Sequence, residues 1–86
     1  AAAPNPFNPG TTFRFTMGAT APAVLQIHDV RGRLVRTLHT GVLSAGPQAF
    51  VWDGNNTDGG AVGSGVYLGR LLTPTTEAVV KVLLLK

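Results

Sequence analysis

Short runs in which apolar and polar residues alternate, separated by turns rich in glycine and proline, constrain the fold of this chain most. In the first run, 11–17, Phe13, Phe15 and Met17 share one side. A period of two is typical of half-buried β-strands, whose successive side chains point to opposite faces. No segment combines capping residues with a sustained 3.6-residue period, so the sequence predicts an all-β protein.

Six or seven strands are predicted, including 11–17, 24–30, 34–40, 48–53, 65–72 and 77–85. The segment 34–40 alternates least cleanly and a helix competes there, but Gly32 and Gly41 on either side favour a short strand. The last run, 77–85, is almost continuously apolar, which suggests burial on both faces or one face that awaits a partner. Turn signals recur at about the 8–12-residue spacing of a sandwich. The predicted architecture is an antiparallel immunoglobulin-like β-sandwich of about six to seven strands.

The length of 86 residues suits one domain. We expect 1–10 to be an extended lead-in segment that follows an upstream linker, and 11–86 to be a single β-sandwich domain of a longer polypeptide. Upstream domains of that polypeptide are then its covalent partners. No apolar run approaches the roughly 20 residues of a membrane-spanning helix, so we expect no membrane span.

The net charge of +3 comes from few acidic residues rather than many basic ones. Only Arg31, Arg33 and Arg36 cluster, without the interleaved aromatic residues of a base-stacking surface, so nucleic acid is not an expected partner. The chain has no cysteine, which excludes a disulfide framework and a thiolate metal site.

Catalytic patterns are absent from the sequence. Ser44 and Ser64 lack the Gly-x-Ser-x-Gly elbow that exposes a nucleophilic serine, and His28 and His39 have no further ligands at a plausible metal spacing. The glycine-rich stretch 59–65 matches neither phosphate-binding pattern. We therefore expect no enzymatic activity and no cofactor.

Two binding sites stay open as alternatives. The loop 53–59 concentrates oxygen ligands suited to calcium, but without the EF-hand spacing, and its Asp and Asn side chains would equally cap the loop's own amides. The aromatic residues, among them Trp52 and Tyr67, would form a sugar-binding platform if exposed, although their alternation with polar residues favours a place in the core.

Ordered motifs span nearly the whole chain: Asn5, Pro6, Phe7, Asn8 and Pro9 at the start; a hairpin with Asp29, Gly32 and Arg33; Trp52, Asp53 and Gly54; Ser64, Gly65, Val66 and Tyr67; and an apolar-basic ending from Lys81 to Lys86. Together they resemble the C-terminal sorting domains of the bacterial type IX secretion system. The same order of elements occurs in the immunoglobulin-like domain of the flagellar hook-capping protein family.

Folding explains most of these positions. We expect Phe7 to plug one end of the sandwich, Gly32 to allow a tight reversal, and Trp52 to fill the centre of the core. Asp53 and Gly54 would turn the chain out of its strand, and Gly65 would admit a close backbone approach before Tyr67. Lys81 and Lys86, on the last strand pair, would be read by a receptor that adds a strand to the exposed edge.

The resemblance implies a non-catalytic C-terminal module of a secreted bacterial protein, acting as an export signal or a cell-surface attachment domain. Its partner would be outer-membrane secretion or attachment machinery, and its location the cell surface or the medium, reached through the periplasm of a Gram-negative-type bacterium. A structural immunoglobulin-like spacer of an extracellular or appendage assembly is the alternative. A carbohydrate-binding module of a secreted hydrolase is a third. The cargo and any cleavage after export stay open.

Overall fold

The structure, a computed structural model, describes residues 11–85, and its strands lie in the runs that alternate in sequence. In chain order the strands are β1 (Thr11–Met17), β2 (Ala21–Asp29), β3 (Leu34–Leu43), β4 (Gly46–Trp52), β5 (Gly65–Leu72) and β6 (Glu77–Leu84). β1 and β5 have the predicted bounds, whereas β2 and β4 begin earlier and β3 continues three residues further. The predicted all-β class is confirmed.

The strands form two antiparallel sheets of unequal width. β1 pairs with β4 in a two-stranded sheet, and the second sheet has the order β3-β2-β5-β6. Phe13 lies opposite Phe50 in the smaller sheet, and Ile27 lies opposite Gly69 in the larger one. The predicted antiparallel immunoglobulin-like sandwich is confirmed, with a four-stranded layer facing a two-stranded layer.

The core lies between the sheets and takes side chains from both. Its centre contains Phe13 and Trp52 from the smaller sheet and Leu25, Ile27, Tyr67 and Leu84 from the larger one. A second group, Met17, Ala23 and Leu43, closes one end. Those on β1, β2, β4 and β5 belong to the apolar side of an alternating strand, so burial of that side holds the two layers together.

Two β-bulges explain why β3 alternates poorly in sequence. The register with β2 passes from Leu25–His39 to Gln26–Thr37, and from Ile27–Arg36 to His28–Leu34, so Leu38 and Val35 have no residue opposite them. Both bulged side chains pack against the core. The carbonyl of Val35 accepts hydrogen bonds from the amide and hydroxyl of Thr57, at 3.0 and 3.2 Å. The strand expected at 34–40 therefore exists, with irregular spacing because a bulge adds a residue on one side only.

The smaller sheet leaves one side of the larger sheet uncovered. Ala78 and Val80 of β6 lie opposite Leu71 and Gly69, on the side that faces the core, yet both are exposed. Between β6 and β1 lies an open, mainly apolar groove of about 690 Å³, and Phe13, Val80 and Val82 are among its lining residues. As far as residues 11–85 describe it, the sandwich thus has a closed side at β3 and β4 and an open side at β1 and β6.

Candidate recognition surface

Trp52 and Tyr67, from two separate sequence motifs, meet in the core. Trp52 is 0% exposed, and its ring packs edge-on against Tyr67 with the ring centroids 5.0 Å apart. The indole Nε1 donates to the carbonyl of Asn55 at 2.9 Å, and the Tyr67 hydroxyl donates to the carbonyl of Gly63 at 2.6 Å. Both polar atoms are therefore satisfied by the loop 53–64, which the two aromatic residues hold against the sandwich.

Among residues 11–85 no aromatic ring is exposed enough to form the sugar-binding platform that the sequence left open. Phe13 is buried with Trp52 and Tyr67, while Phe15 and Phe50 are half-buried and stack on each other with centroids 5.9 Å apart. A sugar face needs aromatic rings that are open to solvent, and these rings are used for packing. The expected place of Trp52 at the centre of the core is confirmed.

The loop after Trp52 is stabilised by its own side chains. Asp53 Oδ1 accepts from the amide of Asn55 at 3.0 Å, and Asn56 Oδ1 accepts from the amides of Asp58 and Gly60 at 3.0 and 2.9 Å. Gly54, buried, has φ +83°, which a residue with a side chain rarely adopts. The side-chain oxygens of Asp53 and Asn56 are thus engaged with amides of the loop. Within 11–85 no three His, Cys, Asp or Glu residues lie close enough to hold a metal ion.

The hairpin between β2 and β3 is organised by Asp29, which the sequence places in a motif without indicating its function. Asp29 Oδ1 accepts from the amides of Arg31 and Arg33 at 2.9 and 3.0 Å, and Oδ2 accepts from Arg33 Nε at 3.0 Å. The hydrogen bond from the Arg33 amide is the main cause that lowers the pKa of Asp29 below its usual value. Gly32 has φ +84° and donates to the carbonyl of Asp29, as the predicted tight reversal requires.

Both histidines lie against nearby main-chain atoms. His28 Nδ1 is 3.2 Å from the carbonyl oxygen of Gly32, and its Nε2 is 3.3 Å from Gln26 Oε1. His39 Nε2 is 3.0 Å from the carbonyl oxygen of Gly41. These contacts hold both rings against β2, β3 and the turn between them, so the histidines contribute to the structure of this hairpin.

The close approach expected at Gly65 lies instead at Gly69. A Cβ at Gly65 would meet no atom within 4 Å, so the expectation for that residue is wrong. A Cβ at Gly69 would fall on Cε1 of the Phe13 ring, which crosses the β5 backbone there. The sequence shows both glycines in one strand, and only the position of β1 distinguishes them. Gly65, with φ +156°, begins β5.

Lys81 lies on the side of β6 that faces away from the core, opposite Leu68 of β5. It is exposed, and within 11–85 no carboxylate forms an ion pair with it. Large apolar side chains surround it on the same strand: Val79 and Val80 are each 54% exposed, and Leu83 is 53% exposed. The edge of the larger sheet therefore presents one ammonium group within an apolar strand.

Several predicted recognition residues lie outside the described range: Asn5, Pro6, Phe7, Asn8, Pro9 and Lys86. The plug expected of Phe7 and the recognition function of Lys86 stay predictions. Of the other candidates, Gly32, Trp52, Asp53, Gly54 and Tyr67 lie in turns, loops or the core, and Gly65 lies at the start of β5. Lys81 is the candidate on the exposed edge strand β6. Within residues 11–85 no helix is long and apolar enough to cross a membrane.

Comparison with known families and relatives gives a consistent result. A family model described as "FlgD Ig-like domain" matches residues 5–71. The basal-body rod modification protein FlgD of Salmonella typhimurium is 54% identical over 41 residues, which are 48% of this chain and 18% of that protein. Its counterpart in Escherichia coli K12 is 46% identical with the same coverage. The matched region is thus 18% of the length of these curated relatives.

Solved structures share the fold over most of the chain. FlgD of Pseudomonas aeruginosa has a TM-score of 0.68 at 18% identity, covering 87% of this chain and 59% of that one. FlgD of Xanthomonas campestris, whose structure is described in terms of hook capping in flagellar assembly, has 0.67 at 23% identity, covering 90% and 56%. Dimeric latent PorU of Porphyromonas gingivalis has 0.68 at 28% identity, covering 93% and 8%. At such low identity the two FlgD structures support the fold alone.

Proposed function

Because this chain belongs to the FlgD Ig-like domain family, we propose that it is a non-catalytic structural module of an exported bacterial assembly, of the kind that hook capping exemplifies. The observation that carries the proposal is the match of the family model to residues 5–71. The sequence predicts this function as the alternative to a sorting signal, and the family and its relatives favour it. Upstream domains of the same polypeptide are the proposed covalent partners.

The described residues support a structural module in a second way. The motif residues Trp52, Tyr67 and Gly32 are used to build the core and a tight turn, so the signature specifies a stable shape rather than a reactive site. A rigid sandwich of this kind suits a spacer or scaffold, because its fold is set by the core and turns rather than by a reactive site. The division into a lead-in segment at 1–10 and a domain at 11–86 stays a prediction.

Deleting residues 11–86 from the parent protein in its native host tests this function. For a structural module, the truncated parent should still leave the cell but fail to join its assembly, as judged by fractionation and by microscopy of the assembly. Retention of the truncated parent in the periplasm would contradict the structural proposal and indicate an export signal. The remaining domains must keep their fold, which limited proteolysis of the truncated parent checks.

A sorting or surface-attachment signal is the second candidate, supported by the resemblance of the ordered motifs to type IX sorting domains and by the open position of Lys81. Residues 1–86 fused to the C-terminus of an exported reporter should then direct it to the surface of a type IX-competent host. Lys81→Glu should abolish display, whereas Arg31→Glu, an equal charge change on the exposed hairpin, should preserve it.

Substitution is a sharper test of the signal than removal of 81–86. That segment contains Leu84, which is 0% exposed in the core, so its deletion would unfold the domain and abolish display for a structural reason. Lys81→Glu breaks no hydrogen bond or ion pair found among residues 11–85. Unchanged surface display of the Lys81→Glu fusion would show that this lysine is not the recognised group.

A further inference from the structure

The two edges of the larger sheet differ in how they are protected. β3, at one edge, contains two bulges, and bulges of this kind hinder pairing with another chain. β6, at the other edge, pairs with β5 over eight consecutive residues without a register shift. Among residues 11–85 no strand pairs with its outer edge, which is therefore a regular row of main-chain groups available to another strand.

The side chains of β6 are unusual for an exposed edge. Val79 and Val80 are on opposite faces of the sheet, and each is 54% exposed. The open groove beside β1 continues the apolar surface on the core-facing side. Monomeric proteins commonly protect an edge with several charges or a proline, and β6 has only Glu77 and Lys81. An added strand would cover apolar surface on both faces.

The two charges of β6 are arranged symmetrically about Val79. Glu77 and Lys81 are each two residues from Val79, and all three side chains are on the face away from the core. In an antiparallel pair of two β6 strands with Val79 on the two-fold axis, Glu77 of each copy lies directly opposite Lys81 of the other. Ala78 of each copy then lies opposite Val80 of the other on the core-facing side.

We propose that β6 is a self-association edge, through which a second copy of this domain pairs antiparallel and joins two four-stranded sheets into one eight-stranded sheet. The axis at Val79 is the arrangement that satisfies the charges. Moving the axis to Val80 places Lys81 opposite Val79, and moving it to Lys81 places the two ammonium groups together, which opposes pairing. Shifting the pairing by a single residue would place a core-facing side chain of one copy opposite an outward-facing side chain of the other, so the two sheets could not continue each other.

Glu77 can form the new pair while keeping its contact within the chain. Arg70 Nε and Nη2 both lie 3.0 Å from Glu77 Oε2, and no contact of Oε1 is found in the described part of the chain. A carboxylate has two acceptor oxygens, so Oε1 is available to Lys81 of the second copy. Five residues pair on each side, which predicts a weak, concentration-dependent dimer rather than an obligate one. This inference does not depend on the proposed function.

Charge reversal tests the pairing in solution. Sedimentation velocity of the 86-residue chain over a concentration series should show reversible dimers. Lys81→Glu and Glu77→Lys should each raise the dissociation constant about tenfold or more, because two attractive cross-strand pairs become repulsive. An equimolar mixture of the two variants should recover dimers, since each copy then supplies the charges that the other needs. Arg31→Glu, the matched control, should dimerise like the original chain.

The results of these experiments show whether any dimer forms through the β6 edge or through another surface. Far-UV circular dichroism and Trp52 fluorescence check that each variant is folded, which matters most for Glu77→Lys because it loses the contact with Arg70. A chain that stays monomeric at every concentration would overturn the proposal. So would a Lys81→Glu variant that dimerises as well as the original chain, or a mixture of folded variants that stays monomeric.

Discussion

Phe13 and Gly69 are in very close contact between the two sheets, closer than an added Cβ at Gly69 would allow. The ring of Phe13, on β1, occupies the space where a Cβ of Gly69 would lie on β5. Glycine in a strand weakens it through backbone entropy, so its presence here is explained by the ring that it admits. The fit brings the smaller sheet close to the larger one at the centre of the core.

Replacing Gly69 with alanine should therefore destabilise the domain. The added methyl group would force the Phe13 ring from its position, at a cost of about 1–3 kcal/mol in the free energy of unfolding. Denaturant unfolding followed by Trp52 fluorescence measures this change. Gly18→Ala is the control, because a Cβ there meets no atom within 4 Å and should change the stability by less than about 0.5 kcal/mol. Equal stabilities of the two variants would contradict the proposed fit.

Asp29 is the second residue with an individual function, as the acceptor that closes the β2–β3 hairpin. The Arg33 amide, followed by other groups of Arg33 and Arg31, lowers its pKa in the folded state. A lowered folded-state pKa contributes stability that is fully present above the unfolded-state pKa, about 3.9 for aspartate. This contribution is lost as the pH falls through the lowered folded-state pKa.

The substitution Asp29→Asn should consequently have a pH-dependent effect. At neutral pH the variant should melt at a lower temperature than the original chain, because it lacks the charge that Arg33 contacts. Below about pH 4 the difference between the two melting temperatures should shrink, since the original carboxylate becomes protonated. Melting curves from pH 7 down to pH 2 measure the difference. A gap that stays constant across this range would show that charge is not the cause.

β6 contributes to the core at one end and presents exposed apolar side chains along most of the rest of its length. Leu84 enters the centre of the core, while Val79, Val80 and Leu83 remain exposed on the same strand. The cause is the width of the opposing layer, because two strands cannot cover four. The apolar run of 77–85 is thus buried at its end and exposed along most of the rest. Burial on both faces is therefore wrong for most of its length, and a partner for the exposed part stays a prediction.

Adjacent leucines on β6 should respond very differently to truncation. Leu84→Ala removes a side chain that is 0% exposed and should cost about 2–5 kcal/mol in the free energy of unfolding. Leu83→Ala, at 53% exposure, should cost at most about 1 kcal/mol. Chemical denaturation of both variants compares them directly. Similar losses would mean that the end of β6 is placed differently from the described structure.

At the scale of the whole molecule, one core joins both sheets. Its central group takes residues from β1, β2, β4, β5 and β6, so neither sheet has an independent apolar interior. Trp52 contacts Tyr67 across the two layers, which makes its fluorescence a reporter of their contact. A domain of this size with a single core is expected to unfold in one cooperative step.

Coincident transitions are the resulting prediction. Urea unfolding followed by Trp52 fluorescence and by far-UV circular dichroism should give the same midpoint and slope at one protein concentration. If the fluorescence changed at lower urea than the dichroism, the sheets would separate before they unfold, and the single core would be the wrong description. Holding the concentration fixed matters because self-association would shift both midpoints.

The sequence alone determined the class of the fold, the approximate strands and the buried side of the strands that alternate cleanly. Alternation is a local property, and it placed Phe13, Leu25, Trp52 and Tyr67 correctly because each needs only its own strand to define its face. The family resemblance was carried by the same local motifs. It identified the hook-capping immunoglobulin-like family, whereas the sorting function that the same motifs suggest has less support.

Tertiary structure decided the features that depend on two strands at once. The bulges at Val35 and Leu38 exist because β3 must follow β2 while turning both apolar side chains inward. Gly69 rather than Gly65 admits a ring because β1 crosses β5 at that point. The open face of β6 follows from the width of the sheet opposite. Such contacts join residues far apart in sequence, and no local pattern contains their relative positions.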